Sequence, residues 1–195
     1  LASLLRPQTL DDMVWQTKLI WKWWTIRAFL ENGKIPSMIF RWTPWCWKTT
    51  LAHIIAKTMN ADFFALSWVT SKKEDFKAII DKTQNNLFAD EIWAIVFLDE
   101  IHRWTKSQQD VLLPYIESWK IVLIWATTEN PSFTINNALL SRCKTFVFEP
   151  ISENDIFNFF QNSMEKISSR YKDIIFDEES LKTISNLANW DLRNA

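Results

Sequence analysis

The chain has 195 residues, 48% hydrophobic and 23% charged, with a formal net charge of −1. That balance fits a soluble globular protein and excludes a global basic field of the kind that marks a nucleic-acid binder. The two cysteines, Cys46 and Cys143, match no metal or disulfide spacing, and no uncharged stretch is long enough to cross a membrane. In chain order, an apolar run predicts a strand at Ser37 to Arg41, followed by a helix from Lys48 to Met59. A strand at Asp62 to Ser67 and an amphipathic helix from Lys72 to Asn85 come next. Then follow a strand at Ala94 to Leu98 and a helix from Ser107 to Glu117 with Val111, Leu112 and Tyr115 on one side. Further strands are expected at Ile121 to Ile124 and at Thr145 to Phe148. Beyond Pro150, Ser152 to Ile167 and Glu178 to Leu187 read as helices with no strand between them.

This alternation predicts an α/β domain over residues 1–150, built on a mostly parallel five-stranded sheet with helices on both faces. Residues 151–195 read as the start of an all-helical domain. Leu1 is not an initiator Met, and the chain stops abruptly at Ala195, so the sequence reads as a piece of a longer protein. No signal peptide opens it, and a reduced cytoplasmic setting is expected.

One compositional feature stands out. The chain holds 13 tryptophans and a single glycine. A usual glycine share of about 7% predicts roughly 14 glycines in this length, which is close to what tryptophan and glycine make together. Many of the tryptophans also stand where backbone chemistry asks for glycine. In Trp42-Thr43-Pro44-Trp45-Cys46-Trp47-Lys48-Thr49, glycine at 42 and 47 would give G-x-x-x-x-G-K-[ST], the phosphate-binding P-loop. The chain thus reads as a glycine-containing protein with its glycines written as tryptophan. Some bacterial lineages reassign the UGA stop codon to Gly and others to Trp, so translation with the wrong table would produce this pattern. Gly33 would be encoded by an ordinary codon. Trp104 is claimed by no glycine motif. The rival reading takes the tryptophans as real.

The surrounding residues carry chemistry. In a P-loop, backbone N–H groups cradle phosphates beside a helix N-terminus whose dipole favours negative charge. Lys48 would reach the β and γ phosphates and the Thr49 hydroxyl would bind Mg²⁺. Residues 42 to 50, through Thr50, would then form the ATP-binding segment. Downstream, Ile95-Val96-Phe97-Leu98 delivers Asp99 and Glu100 at a strand C-terminus, where ligands of open α/β sheets sit. Asp99 would hold the Mg²⁺ shell, and Glu100 would orient and deprotonate an attacking water.

With those motifs, the chain resembles an AAA+ ATPase of the clamp-loader clade, and more narrowly the replication-associated recombination protein A family, relatives of the Werner-helicase-interacting protein. The resemblance rests on Leu5-Arg6-Pro7, Thr9-Leu10-Asp11-Asp12 and Val14-Trp15-Gln16. It continues through Asp99-Glu100-Ile101-His102-Arg103 and Ser107-Gln108-Gln109-Asp110. Its most specific run is Ala126-Thr127-Thr128-Glu129-Asn130-Pro131-Ser132-Phe133. Asn137-Ala138-Leu139-Leu140-Ser141-Arg142-Cys143 and Trp190-Asp191-Leu192-Arg193 complete it. The resemblance spans the chain.

It implies that Arg6, Pro7 and Val14 line the adenine site, that Thr128 is the polar sensor between the Walker motifs, and that Arg142 is a finger supplied to a neighbouring subunit's ATP. Arg193 would be the second sensor, reaching the nucleotide from the helical lid. It further implies ATP and Mg²⁺ as ligands and homo-oligomeric assembly. The partners it implies are DNA (forked, gapped or with single-stranded ends), single-strand-binding protein and the replisome, in the cytoplasm at the nucleoid.

Several alternatives stand beside this reading. If the tryptophans are real, the protein becomes a nucleotide-free scaffold or an aromatic-rich binding module. Within the enzyme class, the neighbours are a clamp-loader subunit and a branch-migration motor, and the Glu129-Asn130-Pro131-Ser132-Phe133 run argues against both. As written, side chains at loop positions that need positive φ cost about 1–2 kcal/mol each. Indoles at 45 and 47 would crowd the phosphates, Trp23-Trp24 would add bulk at a turn, and Trp125 would add bulk at a strand end. The literal chain is therefore expected to bind ATP poorly.

Overall fold

A computed structural model describes residues 6–13, 20–41, 48–67, 76, 78–79, 81, 94–117, 121–148, 152–170 and 177–187. Among them, five strands form one parallel sheet: β1 (Met38–Arg41), β2 (Asp62–Ser67), β3 (Ala94–Asp99), β4 (Ile121–Thr127) and β5 (Lys144–Val147). Their order is β2-β3-β4-β1-β5. All seven residues of β4 are buried, as are the first five of β3. Such near-continuous apolar runs are what a sheet covered on both faces requires.

Each strand falls on an apolar run visible in the sequence, but β4 continues beyond the expected Ile124. Its pairing with β1 extends through Arg41↔Thr127, so the backbone bonds carry the strand three residues further. Trp125 therefore lies inside the strand, level with Ile39 and Leu98, and is fully buried rather than crowding a strand end. Its indole N–H has no partner among the described residues, and the same holds for Trp104.

Side chains alternate across the sheet. Met38, Phe40, Ile95, Phe97, Ile124 and Ala126 face one core, and Ile39, Val96, Leu98, Leu123 and Trp125 face the other. The first core also takes in residues of α1 (Ile20–Glu31), α2 (Lys48–Thr58), α7 (Glu153–Arg170) and α8 (Glu178–Leu187), the last two packed on each other. Trp23-Trp24 lie within α1, not at a turn. Ile26, Phe29 and Leu30, at i, i+3 and i+4, put that helix on the core. It ends at Gly33, whose φ of 65° is the left-handed conformation helix ends favour. Lys34 N–H then donates back to the Phe29 carbonyl.

The α7 helix starts at a reciprocal cap, in which Asp155 N–H donates to the Ser152 hydroxyl oxygen while the Ser152 hydroxyl donates to the Asp155 carboxylate. Ile156, Phe159, Phe160 and Ile167 form its buried stripe. At the start of α8, Asp177 accepts from Ser180, which holds its carboxyl below the ordinary range. None of the described helices is long and apolar enough to cross a membrane.

The second face carries a series of short helices. The expected single helix over Ser107 to Glu117 is two: α3 (Lys106–Asp110) and α4 (Leu113–Glu117). Pro114 supplies no N–H and disfavours helical backbone before it, so the helix restarts there. The break turns Leu112 and Ile116 inward and leaves Val111 exposed and Tyr115 half-buried, which corrects the expected stripe. Two further short helices, α5 (Pro131–Thr134) and α6 (Asn137–Leu140), are capped by Asn130 and Asn136. Of the helix expected over Lys72 to Asn85, only residues 76, 78, 79 and 81 are described. Phe76 and Ile79 are buried in the second core.

Candidate active site

Parallel strands put all their C-terminal ends at one edge of the sheet. There β4 lies between β1 and β3, so residues following β1 and residues ending β3 approach each other across the end of β4. Lys48 opens α2, and its Nζ lies 3.8 Å from the Asp99 Oδ1 at the end of β3. Lys48 is largely buried, and Asp99 is more open, at 15% and 43% side-chain exposure. No acidic side chain stands in the first turn of α2, whose positive dipole end faces this edge. Thr49, next in line, is exposed, while Thr50 turns into the core.

Glu100 follows Asp99 in a left-handed conformation, with φ 55° and ψ 47°. For a residue with a β-carbon this costs about 1–2 kcal/mol, and such strain gathers at sites whose surroundings over-determine the backbone. The surroundings here are a 3-10 turn over Ile101–Arg103, anchored by fully buried Ile101. Asp99 Oδ1 accepts from the Glu100 N–H at 3.1 Å. The Glu100 carboxylate meets Arg103 Nε at 2.7 Å.

The end of β4 is held from the same turn. Thr127 is buried, and its hydroxyl oxygen lies 3.2 Å from His102 Nδ1 and accepts from the Glu129 N–H at 3.1 Å. Half-buried Thr128 sits between those two fixed residues. The segment after it is tied down by Gln109, which is fully buried. Gln109 Nε2 donates to the carbonyls of Trp104 and Thr134, and its Oε1 accepts from the Asn136 N–H.

Lys48, Thr49, Asp99, Glu100 and Thr128 thus share one edge of the sheet. Arg142 does not join them. It precedes β5 and so lies at the N-terminal edge. There its Nε donates to Glu117 Oε1 at 2.7 Å and its Nη1 to the Ala138 carbonyl at 2.9 Å. A cavity of about 340 Å³ opens beside this pair, lined by Ile35, Ser37, Ile116, Ile121, Val122 and Ser141. Arg6 is exposed and Pro7 buried, in a segment that docks through Met13 and an Asp11–Arg27 ion pair. Val14, Trp42, Thr43, Pro44, Trp45, Cys46, Trp47 and Arg193 lie outside the described residues. Burial pushes the Cys143 thiol up to about 12, so it stays protonated at neutral pH and is no nucleophile.

Sequence reasoning about roles passed over His102, Arg103, Gln109, Glu117 and Thr127. Arg103 had a usable signal, three residues after Glu100. So did Thr127, a polar residue ending an apolar strand. Gln109 and Glu117 offered none, because their partners come from distant parts of the chain.

Comparison with known proteins places the chain in a family of ATPases. The model of the ATPase family associated with various cellular activities (AAA) matches residues 43–151. An ATPase WRNIP1 from Dictyostelium discoideum is 41% identical over 198 residues, which is 100% of this chain and 22% of that protein. The replication-associated recombination protein A of Haemophilus influenzae is 40% identical over 197 residues, again all of this chain and 44% of the relative. The chain therefore spans less than half the length of both relatives. Among solved structures, a Thermotoga maritima RuvB Holliday junction branch migration motor superposes with a TM-score of 0.76 at 24% identity, over 98% of this chain and 62% of that one. At that identity the likeness speaks for the fold alone.

Proposed function

The chain belongs to the ATPase family associated with various cellular activities (AAA), and from that membership we propose that it hydrolyses ATP at the C-terminal edge of its sheet to drive work on DNA in replication and recombination. The observation that carries this reading is the approach of Lys48 Nζ to Asp99 Oδ1 at 3.8 Å across the end of β4, with Glu100 held next to it. Lys48 binds the β and γ phosphates of ATP. Thr49 and Asp99 would hold a Mg²⁺ ion. The donor set fits that ion, since the Asp99 carboxylate and the Thr49 hydroxyl are hard oxygen donors and Mg²⁺ commonly takes one or two carboxylates plus substrate phosphates. Such an ion would supply neutralisation of the charge on the phosphates.

Glu100 accepts a proton from the attacking water as the water oxygen bonds to the γ-phosphorus and the bond to the β-phosphate oxygen breaks. Its ion pair with Arg103 must open for this. Thr128 contacts the γ-phosphate or the water. Arg142 acts on a neighbouring copy's ATP. It stands at the opposite edge from Lys48, and a four-residue strand such as β1 spans about 13 Å, too far for it to serve its own site. Arg6, Pro7 and Val14 receive the adenine, and Arg193 reaches in from a lid formed by residues 151–195. The partners in this reading are forked, gapped or single-stranded-end DNA, single-strand-binding protein and the replisome, met by a homo-oligomer at the nucleoid. The name of the recombination protein A relative supports replication and recombination as the setting. The run from Glu129 to Phe133 argues against a clamp-loader subunit and a branch-migration motor, and the second of these is the alternative that the likeness to the RuvB fold fits.

Tryptophans 42, 45 and 47 stand for glycine in this reading, through UGA recoding. What supports it is the composition and the need of a phosphate cradle for backbone without side chains. Mass spectrometry of the tryptic peptide from Trp42 to Lys48, taken from the natural host, weighs those residues directly. Glycine masses, with ATP turnover that Glu100→Gln abolishes, bear out the ATPase. Tryptophan masses would overturn the recoding and turn the reading to a nucleotide-free scaffold, and micromolar ATP binding by the literal chain would overturn the expectation that it binds ATP poorly. Glycine masses without any turnover would overturn the enzyme.

A further inference from the structure

Arg142 is restrained more tightly than an exposed arginine needs to be. Its Nε donates to Glu117 Oε1 at 2.7 Å, and its Nη1 donates to the Ala138 carbonyl at 2.9 Å. Ser141 Oγ lies 3.4 Å from the same Nη1. Among the described residues Nη2 has no partner. The guanidinium is planar and presents its donors in a rigid fork, so fixing Nε and Nη1 fixes the direction of the Nη2 edge as well.

The two holding groups come from different elements. Glu117 ends α4, which packs on the second core through Ile116, and Ala138 lies in α6, which packs on it through Leu139. Both helices are thereby anchored to the sheet. Side-chain exposures of 42% for Arg142 and 53% for Glu117 leave the pair open to another molecule. An exposed ion pair of this kind contributes little to folding. Its effect is on orientation.

We propose that Glu117, with the Ala138 carbonyl, is a positioning clamp that presets Arg142 so that its free Nη2 edge enters the ATP site of a neighbouring copy of this chain. This rests on the trans-acting role of Arg142 given above. Glu117 touches no reacting atom and acts only through Arg142. An arginine on a flexible stem must lose its rotamer freedom when the neighbour's phosphate draws it in, and a clamp removes that loss before assembly. Misplacement of a catalytic group by about 1 Å costs on the order of a hundredfold in rate.

The test uses the full-length protein, with residues 42, 45 and 47 as the host decodes them, and four variants: Glu117→Ala, Glu117→Gln, Arg142→Ala and Glu100→Gln. Glu117→Ala is expected to lower kcat about ten- to a hundredfold, leaving ATP affinity, oligomeric state and melting temperature close to the parent's. Glu117→Gln retains an acceptor for Nε and should recover part of the rate.

Mixing then separates the two ideas. A Glu100→Gln subunit cannot hydrolyse its own ATP but donates an intact arginine. Mixed with Arg142→Ala it should restore turnover above the sum of the separate variants, and mixed with Glu117→Ala it should do the same. Restoration with Arg142→Ala but not with Glu117→Ala overturns the clamp and leaves the trans role standing. No restoration with Arg142→Ala overturns the trans role itself. An unchanged or raised kcat in Glu117→Ala also overturns the clamp, the latter because Glu117 would then be holding the arginine back.

Discussion

The two edges of the sheet hold their polar groups in different ways. At the C-terminal edge, Lys48, Asp99, Glu100 and Thr128 are fixed by the sheet itself: they end β3, end β4 or open the helix after β1, and their neighbours His102 and Thr127 bond to one another. At the N-terminal edge, Arg142 and Glu117 stand half-open on the surface and hold each other. The first set is completed by folding a single chain. The second presents a guanidinium outward at the surface. In the proposed function the first edge is the ATP site and the second offers an arginine to a neighbouring copy, and the contrast teaches that one parallel sheet holds polar groups in two ways, by its own strand ends and by a surface ion pair.

That comparison can be broken or sharpened by experiment. The largest effect is expected from Arg142→Ala, which should slow ATP hydrolysis by about 10³- to 10⁵-fold, the range seen for arginine fingers, while nucleotide binding persists. Retained turnover would mean that the outward edge takes no part in the chemistry. Glu100→Gln follows, with an expected loss of about 10²- to 10⁴-fold. Equilibrium binding should show ATP still held, because Lys48 and Asp99 are untouched.

Gln109→Leu reads stability instead. It strips partners from the Trp104 and Thr134 carbonyls and the Asn136 N–H, and urea unfolding should record a loss of about 2–3 kcal/mol. A smaller loss would mean that water enters and replaces the side chain. The smallest effect belongs to Glu117→Ala, whose unfolding free energy should fall by less than about 1 kcal/mol, even though its expected effect on turnover is tenfold or more. A large loss of stability there would make Glu117 an ordinary structural residue and erase the difference between the two edges.

The strands were legible because each is an apolar run bounded by polar residues, and burial on both faces of a parallel sheet requires such a run. The place of the carboxylate pair was legible for a related reason, since Asp99 ends such a run and Glu100 follows it directly. The α1 helix was harder to see. Ile26, Phe29 and Leu30 turn to the core, but Trp23-Trp24 suggested a turn. The break between α3 and α4 was missed although Pro114 marks it, because the apolar spacing across the break imitates one continuous helix. Gln109 and Glu117 were not legible as functional residues, since nothing local distinguishes them from any polar residue on a helix.

The sequence by itself determined the α/β alternation, the motif residues Lys48, Thr49, Asp99 and Glu100, and the anomaly of tryptophan in glycine's places, because each is a matter of local pattern or composition. Only the tertiary structure decided that β4 inserts between β1 and β3, that Thr127 and His102 brace the site, and that Arg142 faces away from it in the hold of Glu117. Those facts depend on which strands become neighbours and on contacts between residues about 25 positions apart, and such pairings arise from packing a whole sheet and its helices together rather than from any short stretch of the chain.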